Sequence, residues 1–223
     1  STQKSEPEWM RGKRLDAFER LQMISPPAWG PSLAGLALDE LVYYLDPDVE
    51  EGTSWDDLPQ EIVETFDRLG IPQAEREYLG GVGAQYDSGM VYHKLKEDLA
   101  SQGVVFENMD VAVHTHPELV REHFMGRCVP VDDHYFAALH AACWSGGTFI
   151  YVPKGVCVPQ PLQAYFRMNR KASGQFEHTL IIVDEGAEVT YIEGCSAPRY
   201  NASSLHAGCV ELFVGAGATL KYV

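Results

Sequence analysis

The sequence predicts an α+β fold: a mainly helical domain over residues 1–145, then a parallel β-solenoid over residues 146–223. Three observations carry this. Gly155, Gly186 and Gly217 recur 31 residues apart, each with a valine three residues before it (Val152, Val183, Val214) and Val158, Val189 or Leu220 three after. A fixed long period marks units that stack on one another. After Gly146 the chain is a series of short β-branched or aromatic runs split by Lys154-Gly155, Glu185-Gly186 and Ala216-Gly217 turns, which suits stacked strands. Before Gly146, helix start and stop signals dominate. A sandwich or jelly roll is the alternative for the second half.

Element by element, a helix is expected from Pro7 to about Met23, with proline and Glu8 in its first turn. Leu15, Phe18, Leu21 and Met23 form its apolar face. Pro26-Pro27-Ala28-Trp29-Gly30-Pro31 breaks it into a linker. Pro47 to Asp57 reads as an acidic loop. A second helix starts at Asp57-Leu58-Pro59-Gln60-Glu61 and runs to Leu69 before Gly70, with Ile62, Phe66 and Leu69 on one face. Gly80-Gly81-Val82-Gly83 reads as a turn. Val91 to Gln102 reads as a helix with Tyr92, Leu95 and Leu99 inward and Gly103 at its end. Val104 to Met109 is a strand. Thr115-His116-Pro117-Glu118 is a capping box opening a helix to Met125, and Phe136 to Cys143 is a small-residue helix. The strands expected beyond are Thr148–Val152, Cys157–Val158, Gln163–Met168, Thr179–Val183, Val189–Ile192, Cys209–Val214 and Thr219–Val223. The last of these meets the chain end, so a solenoid truncated at its C-terminal end is expected.

The net charge of −15 is concentrated in the first half: 24 of the 32 acidic side chains but 10 of the 17 basic ones precede residue 126. Without a basic stripe, nucleic acid is an unsuitable partner. A well-solvated acidic face is the simplest reading, with a docking surface for a basic partner as the other. No run approaches the roughly 18 apolar residues of a membrane span, and Ser1-Thr2-Gln3-Lys4-Ser5-Glu6 lacks the apolar segment of a secretory signal. A cytoplasmic location is expected, with a plastid stroma as the alternative, and no membrane partner.

Five cysteines, Cys128, Cys143, Cys157, Cys195 and Cys209, contain no C-x-x-C pair. Free thiols are expected, not a disulfide framework or a self-contained four-thiolate metal site. Cys195 stands out in Glu193-Gly194-Cys195-Ser196-Ala197-Pro198, at the mouth of a turn after a strand, among small neighbours. Arg199 follows it, and Arg167 on an earlier strand reaches the same region if the rungs stack. Cationic neighbours stabilise a thiolate; the competing reading is an inert, buried small hydrophobe. The other four cysteines sit in packing contexts. His114, His116, His123 and Cys128 fit no common zinc spacing. There is no phosphate-binding G-x-x-x-x-G-K-[ST] loop and no G-x-S-x-G elbow. Asp184, Glu185 and Glu193 are too sparse for a glycosidase pair, which leaves a solenoid carbohydrate-active enzyme as a weak alternative.

The chain resembles the SufB family, scaffold subunits of the SUF iron–sulfur cluster assembly system. The resemblance rests on Glu77-Tyr78-Leu79-Gly80-Gly81-Val82-Gly83-Ala84-Gln85-Tyr86-Asp87-Ser88, Trp144 to Gly155, Gln163 to Asn169, Gly174-Gln175-Phe176-Glu177 and Glu193 to Pro198. It implies an N-terminal helical domain before a right-handed parallel β-helix. It implies a complex with a SufD-like paralogue and a SufC-like ATPase, sulfur arriving as persulfide from a cysteine desulfurase through a SufE- or SufU-type donor, and a non-enzymatic scaffold whose ATPase is the partner. Cys195 matches the family's sulfur acceptor; Arg167 and Asn169 match residues beside its sulfur path. The resemblance also implies an iron–sulfur cluster assembled transiently in the full-length complex, on residues beyond Val223, so that no cluster or metal is expected on these 223 residues. A purely structural assembly subunit is the alternative.

Overall fold

The computed structural model describes residues 2–29, 32–46, 51–52, 54–197 and 204–223. Gly30 and Pro31 of the expected linker, residues 47–50 and 53 of the expected acidic loop, and Arg199 lie outside them.

Seven helices and eleven strands alternate along the described residues. In chain order they are α1 (Glu8–Leu21), α2 (Gln60–Arg68), α3 (Ile71–Glu77), β1 (Gly81–Tyr86), β2 (Gly89–Leu95), α4 (Glu97–Ala100), β3 (Val105–Asn108), α5 (Met109–Thr115), α6 (Pro117–His123), α7 (Tyr135–Cys143), β4 (Thr148–Val152), β5 (Leu162–Arg167), β6 (Gly174–Gln175), β7 (His178–Val183), β8 (Glu188–Ser196), β9 (Leu205–His206), β10 (Cys209–Val214) and β11 (Thr219–Tyr222). The fold is α+β, and its sheets contain parallel strands.

From β4 onward the chain visits three sheets in a fixed rotation. β4, β7 and β10 stack in parallel in one sheet, β5, β8 and β11 in a second, and β6 and β9 in a third. Each β7 residue pairs with the β10 residue 31 positions on, from His178 with Cys209 to Val183 with Val214. The turn glycines sit at φ of +71°, +68° and +66° (Gly155, Gly186, Gly217), where only a residue without Cβ is unstrained. Alternate residues point inward, so Ile150, Val152, Leu162, Ala164, Phe166, Ile181, Val183, Val189 and Tyr191 form one buried core between the first two sheets.

Residues before 145 supply strands to the same sheets. β1 pairs in parallel with β5 and carries β2 antiparallel on its other side, while β3 pairs antiparallel with β4. Two readings are corrected here. Gly80-Gly81-Val82-Gly83 opens β1 and is no turn: a Cβ on Gly81 would meet Phe106 at 2.7 Å and the Lys94 carbonyl at 2.9 Å. The glycines let backbones approach closely within the sheet. Residues 91–102 are not a helix. β2 occupies the first half, α4 is one turn, and Gly103 at φ +81° ends it. Val91 and Tyr92 are adjacent and both buried because the β1–β2 register shifts between Ala84 and Gln85, which leaves Val91 as a bulge beside Tyr92, and both pack with Ile62, Phe66 and Ile71 of the α2–α3 layer.

The apolar face assigned to α1 is also corrected. Met10 and Ala17 are buried against α7, whereas Leu15, Phe18 and Met23 are exposed. Arg14 takes part in that packed face by ion-pairing with Glu6 and covering the Trp144 ring. Leu69 is likewise exposed, while Ile62 and Phe66 are buried as expected. Within the expected acidic loop, Trp55–Asp57 form a 3-10 turn capped by Ser54. Thr115 does not cap α6; its hydroxyl donates to Glu107 at 2.8 Å, and His116 takes the cap position with no side-chain bond.

Candidate functional site

Cys195 lies inside the last residues of β8, not beyond them, and it is exposed. Strand alternation places Val189, Tyr191, Glu193 and Cys195 on the inward face of β8. The first two are fully buried in the core and Glu193 is partly covered; β11 pairs with β8 as far as Tyr191, so no described strand lies over Cys195 on that side.

The lining becomes polar toward that opening. Thr179 donates to Glu193 Oε2 at 2.7 Å, the Tyr191 hydroxyl lies 2.9 Å from the same oxygen and 3.1 Å from Thr148 Oγ1, and Tyr222 donates to Glu193 Oε1 at 3.0 Å. Beside them His206 of β9 pairs with Glu177, whose Oε2 has no partner of its own. Parallel register makes this pairing, since Gln175 aligns with His206 and the backbone N–H of Cys209 bonds to the Glu177 carbonyl.

The electrostatics follow from this lining. Burial first, then the Glu177 and Glu193 carboxylates, push the Cys195 thiol up. Burial pushes Glu193 up against the pull of its three hydroxyl donors. The hydrogen bond to Glu177 raises His206, against desolvation. The lining thus shifts the thiol away from its thiolate and the His206 imidazole toward its protonated form.

Arg167 is placed differently from the expectation that it stabilises the thiolate. In the β5–β8 register it faces Ser196, with Phe166 opposite Cys195. Its Nη1 donates to Ser196 Oγ at 2.8 Å. Phe166 is in the core, so Arg167 and Ser196 project from the opposite face of the sheet, and Arg167 has no part in the Cys195 shift. Asn169 follows β5 and donates its backbone N–H to Asp87 Oδ1 at 2.7 Å.

The remaining candidates are dispersed. His116 stacks on Phe149, and His123 meets Phe213 edge-on and faces the Leu119 carbonyl. Among the described residues, the His and Cys side chains that converge are instead His140, His178 and Cys209. Cys128 and Cys157 are exposed, against the packing expected of them; Cys143 and Cys209 are half-buried against the helical side of the core. Glu193 lies within β8, away from the turn that holds Asp184 and Glu185. Glu177 and His206 were not singled out from the sequence; the signal available was their placement 29 residues apart, close to one repeat.

The family model described as "SUF system FeS cluster assembly, SufBD core domain" matches residues 166–223, and that of the "SufBD protein N-terminal region" matches residues 85–164. The iron-sulfur cluster assembly protein SufB of Bacillus subtilis strain 168 is 51% identical over 222 residues, covering 100% of this chain and 48% of that protein. Iron-sulfur cluster assembly SufBD family proteins of Staphylococcus epidermidis and Staphylococcus aureus MRSA252 are 50% and 49% identical over the same share. The chain spans about half the length of these curated relatives. Two consecutive family models and relatives alike along all of its length place the chain in the SufBD family.

Proposed function

We propose that this chain forms the sulfur-entry part of an iron–sulfur cluster assembly scaffold, with Cys195 as the sulfur acceptor. The observation that carries the reading is the position of Cys195: a thiol on the inward face of β8, in line with the polar lining around Glu193, in a SufBD-family chain. In the step proposed, the Cys195 thiol gives its proton to the carboxylate lining and its sulfur attacks the outer sulfur of a donor persulfide. A new S–S bond forms at Cys195, the donor's S–S bond breaks, and the donor leaves as a thiolate. Glu177 and Glu193 are the carboxylates whose charge reaches Cys195, and His206, whose pKa is raised by its hydrogen bond to Glu177, is the imidazole beside them. Arg167, held by Ser196, and Asn169, held at Asp87, act on the neighbouring rung as residues of the sulfur path.

The rotation through three sheets is proposed as one coil per repeat of a right-handed parallel β-helix, with 1–145 and 146–223 as its two domains. The whole scaffold is proposed to work in the cytoplasm with a SufD-like paralogue, a SufC-like ATPase and a SufE- or SufU-type donor fed by a cysteine desulfurase, and to pass sulfur to a cluster built outside these residues. The absence of a phosphate-binding loop from the sequence agrees with an ATPase partner. The raised thiol favours a second reading, a structural subunit in which Cys195 is inert.

One experiment separates the two. The protein is incubated with a cysteine desulfurase, its donor and cysteine, its thiols are alkylated, and the peptides are weighed. Persulfide concentrated on Cys195, with the other four cysteines as internal controls, is the expected result. Persulfide spread evenly over all five, or absent, supports the structural reading.

A further inference from the structure

We propose that His140 Nε2, His178 Nδ1 and Cys209 Sγ form a binding site for a thiolate-accepting divalent transition metal, of the Zn²⁺ or Fe²⁺ class, independent of Cys195. The repeat builds it. His178 opens β7 and Cys209 opens β10, 31 residues later, and the two are direct partners in the parallel register. α7 packs over this corner and lays His140 beside them. The two imidazole nitrogens are 3.1 Å apart, and the three ligand atoms lie within 4.8 Å of one another. Metal–nitrogen bonds of about 2.0–2.1 Å and metal–sulfur bonds of about 2.3 Å at tetrahedral angles require such spacings after a small closure.

Hydrogen counting shows why these atoms suit a cation. The Ala207 carbonyl only accepts, so at 2.9 Å from it His140 Nδ1 carries the hydrogen and Nε2 presents a lone pair. His178 Nε2 faces Glu211 Oε2 at 3.2 Å, without the alignment of a full hydrogen bond. That carboxylate already accepts the backbone N–H of Met125 at 2.6 Å and of Val129 at 3.0 Å, so both its oxygens act as acceptors. An accepting oxygen there calls for the hydrogen on Nε2, which leaves Nδ1 of a neutral His178 as a second lone pair. Burial drives both rings toward the neutral form. Two lone pairs thus meet across 3.1 Å with a sulfur beside them.

A metal ion resolves that meeting, and the surroundings are those of a metal centre. Each ligating histidine turns its other nitrogen to an acceptor, a backbone carbonyl for one and a carboxylate for the other, the pattern that fixes ring tautomer and orientation. The ion's two positive charges match one thiolate and the buried Glu211 carboxylate. Binding breaks the Cys209 S–H bond and releases that proton to solvent. A cavity of about 220 Å³ lined by His134, Phe136, His140, Gly208, Cys209 and Val210 gives an entry route and room for a water as fourth ligand.

The test uses the full chain and Co²⁺ alone as a spectroscopic probe, with Zn²⁺ as competitor. Expected are a near-ultraviolet thiolate-to-cobalt band and the visible bands of a tetrahedral ion, both displaced by Zn²⁺. Cys209→Ser removes the thiolate band, Cys195→Ser keeps it, and Glu211→Gln weakens binding by about tenfold to a hundredfold. In the unaltered protein, Zn²⁺ slows alkylation of the Cys209 peptide specifically, which makes the test independent of how any variant folds. Equal alkylation of Cys209 with and without Zn²⁺, or a thiolate band that survives Cys209→Ser and is lost in Cys195→Ser, overturns the proposal.

Discussion

Cys195 has the exposure of a reactive thiol and the electrostatics of a sluggish one. Its thiol is raised by burial, Glu177 and Glu193, in that order, and reactivity depends on the thiolate fraction. Removing the Glu177 charge therefore shifts the pH profile of Cys195 alkylation to lower pH in Glu177→Gln. Arg167→Ala leaves the profile unchanged, because that guanidinium bonds Ser196 on the other face of the sheet. Peptide-resolved alkylation rates measured across pH check both. An upward shift in Arg167→Ala would restore Arg167 as the thiolate's partner. The raised thiol also implies that the thiolate fraction limits sulfur transfer, so the rate of persulfide loading rises with pH as alkylation does.

The rungs were readable because their signal is local and repeated. Gly155, Gly186 and Gly217 lie at positive φ in open turns; Val152, Val183 and Val214 end β4, β7 and β10, Val158 is buried ahead of β5, and Val189 is buried in β8. β1 and β2 were misread because their signals have other ordinary meanings. A run of glycines denotes a turn as readily as a crowded strand, and Val91, Tyr92, Leu95 and Leu99 satisfy helical spacing although the first three belong to β2. Cys195 stands out in the sequence through its motif, whereas Glu177, His206, His140 and Cys209 acquire their neighbours only through register between strands. The glycines differ in kind, and substitution should rank them. Gly186 is at φ +68° with open space around it, so Gly186→Ala costs only the left-handed strain of about 1–2 kcal/mol. Gly147 is at φ +104°, and a Cβ there would lie 2.2 Å from the His178 carbonyl oxygen and 2.4 Å from its nitrogen. Gly147→Ala must displace β7 and lowers the unfolding midpoint further than Gly186→Ala. Urea denaturation of the two variants gives the order; equal midpoints would mean that the β4–β7 approach is looser than described.

The stack and its antiparallel cover are joined by shared sheets, so burial at the covered end is a property of the whole molecule. His93 on β2 shows the consequence. Its ring packs on Phe106 at 4.7 Å, its Nε2 is buried without a partner, and burial lowers its pKa to about 4 from the ordinary 6.5. The unfolded chain takes up a proton near pH 6.5, whereas the folded chain resists until about pH 4. Folding thus keeps its full margin above pH 6.5 and loses it progressively as pH falls toward 4, where the loss from this group levels off. A displacement of that size corresponds to about 3 kcal/mol, a large part of a typical domain's stability. The expected outcome is a urea midpoint that falls steeply between pH 6.5 and 4, and less steeply in His93→Gln, which cannot take up the proton. His140, lowered to about 3 by burial and the neighbouring His178, adds to the same slope. His206 opposes it, because its raised pKa favours the folded state once protonated. Parallel slopes for the parent protein and His93→Gln would show that β2 leaves the sheet before the rest of the molecule unfolds, and that the cover and the stack are separate cooperative units.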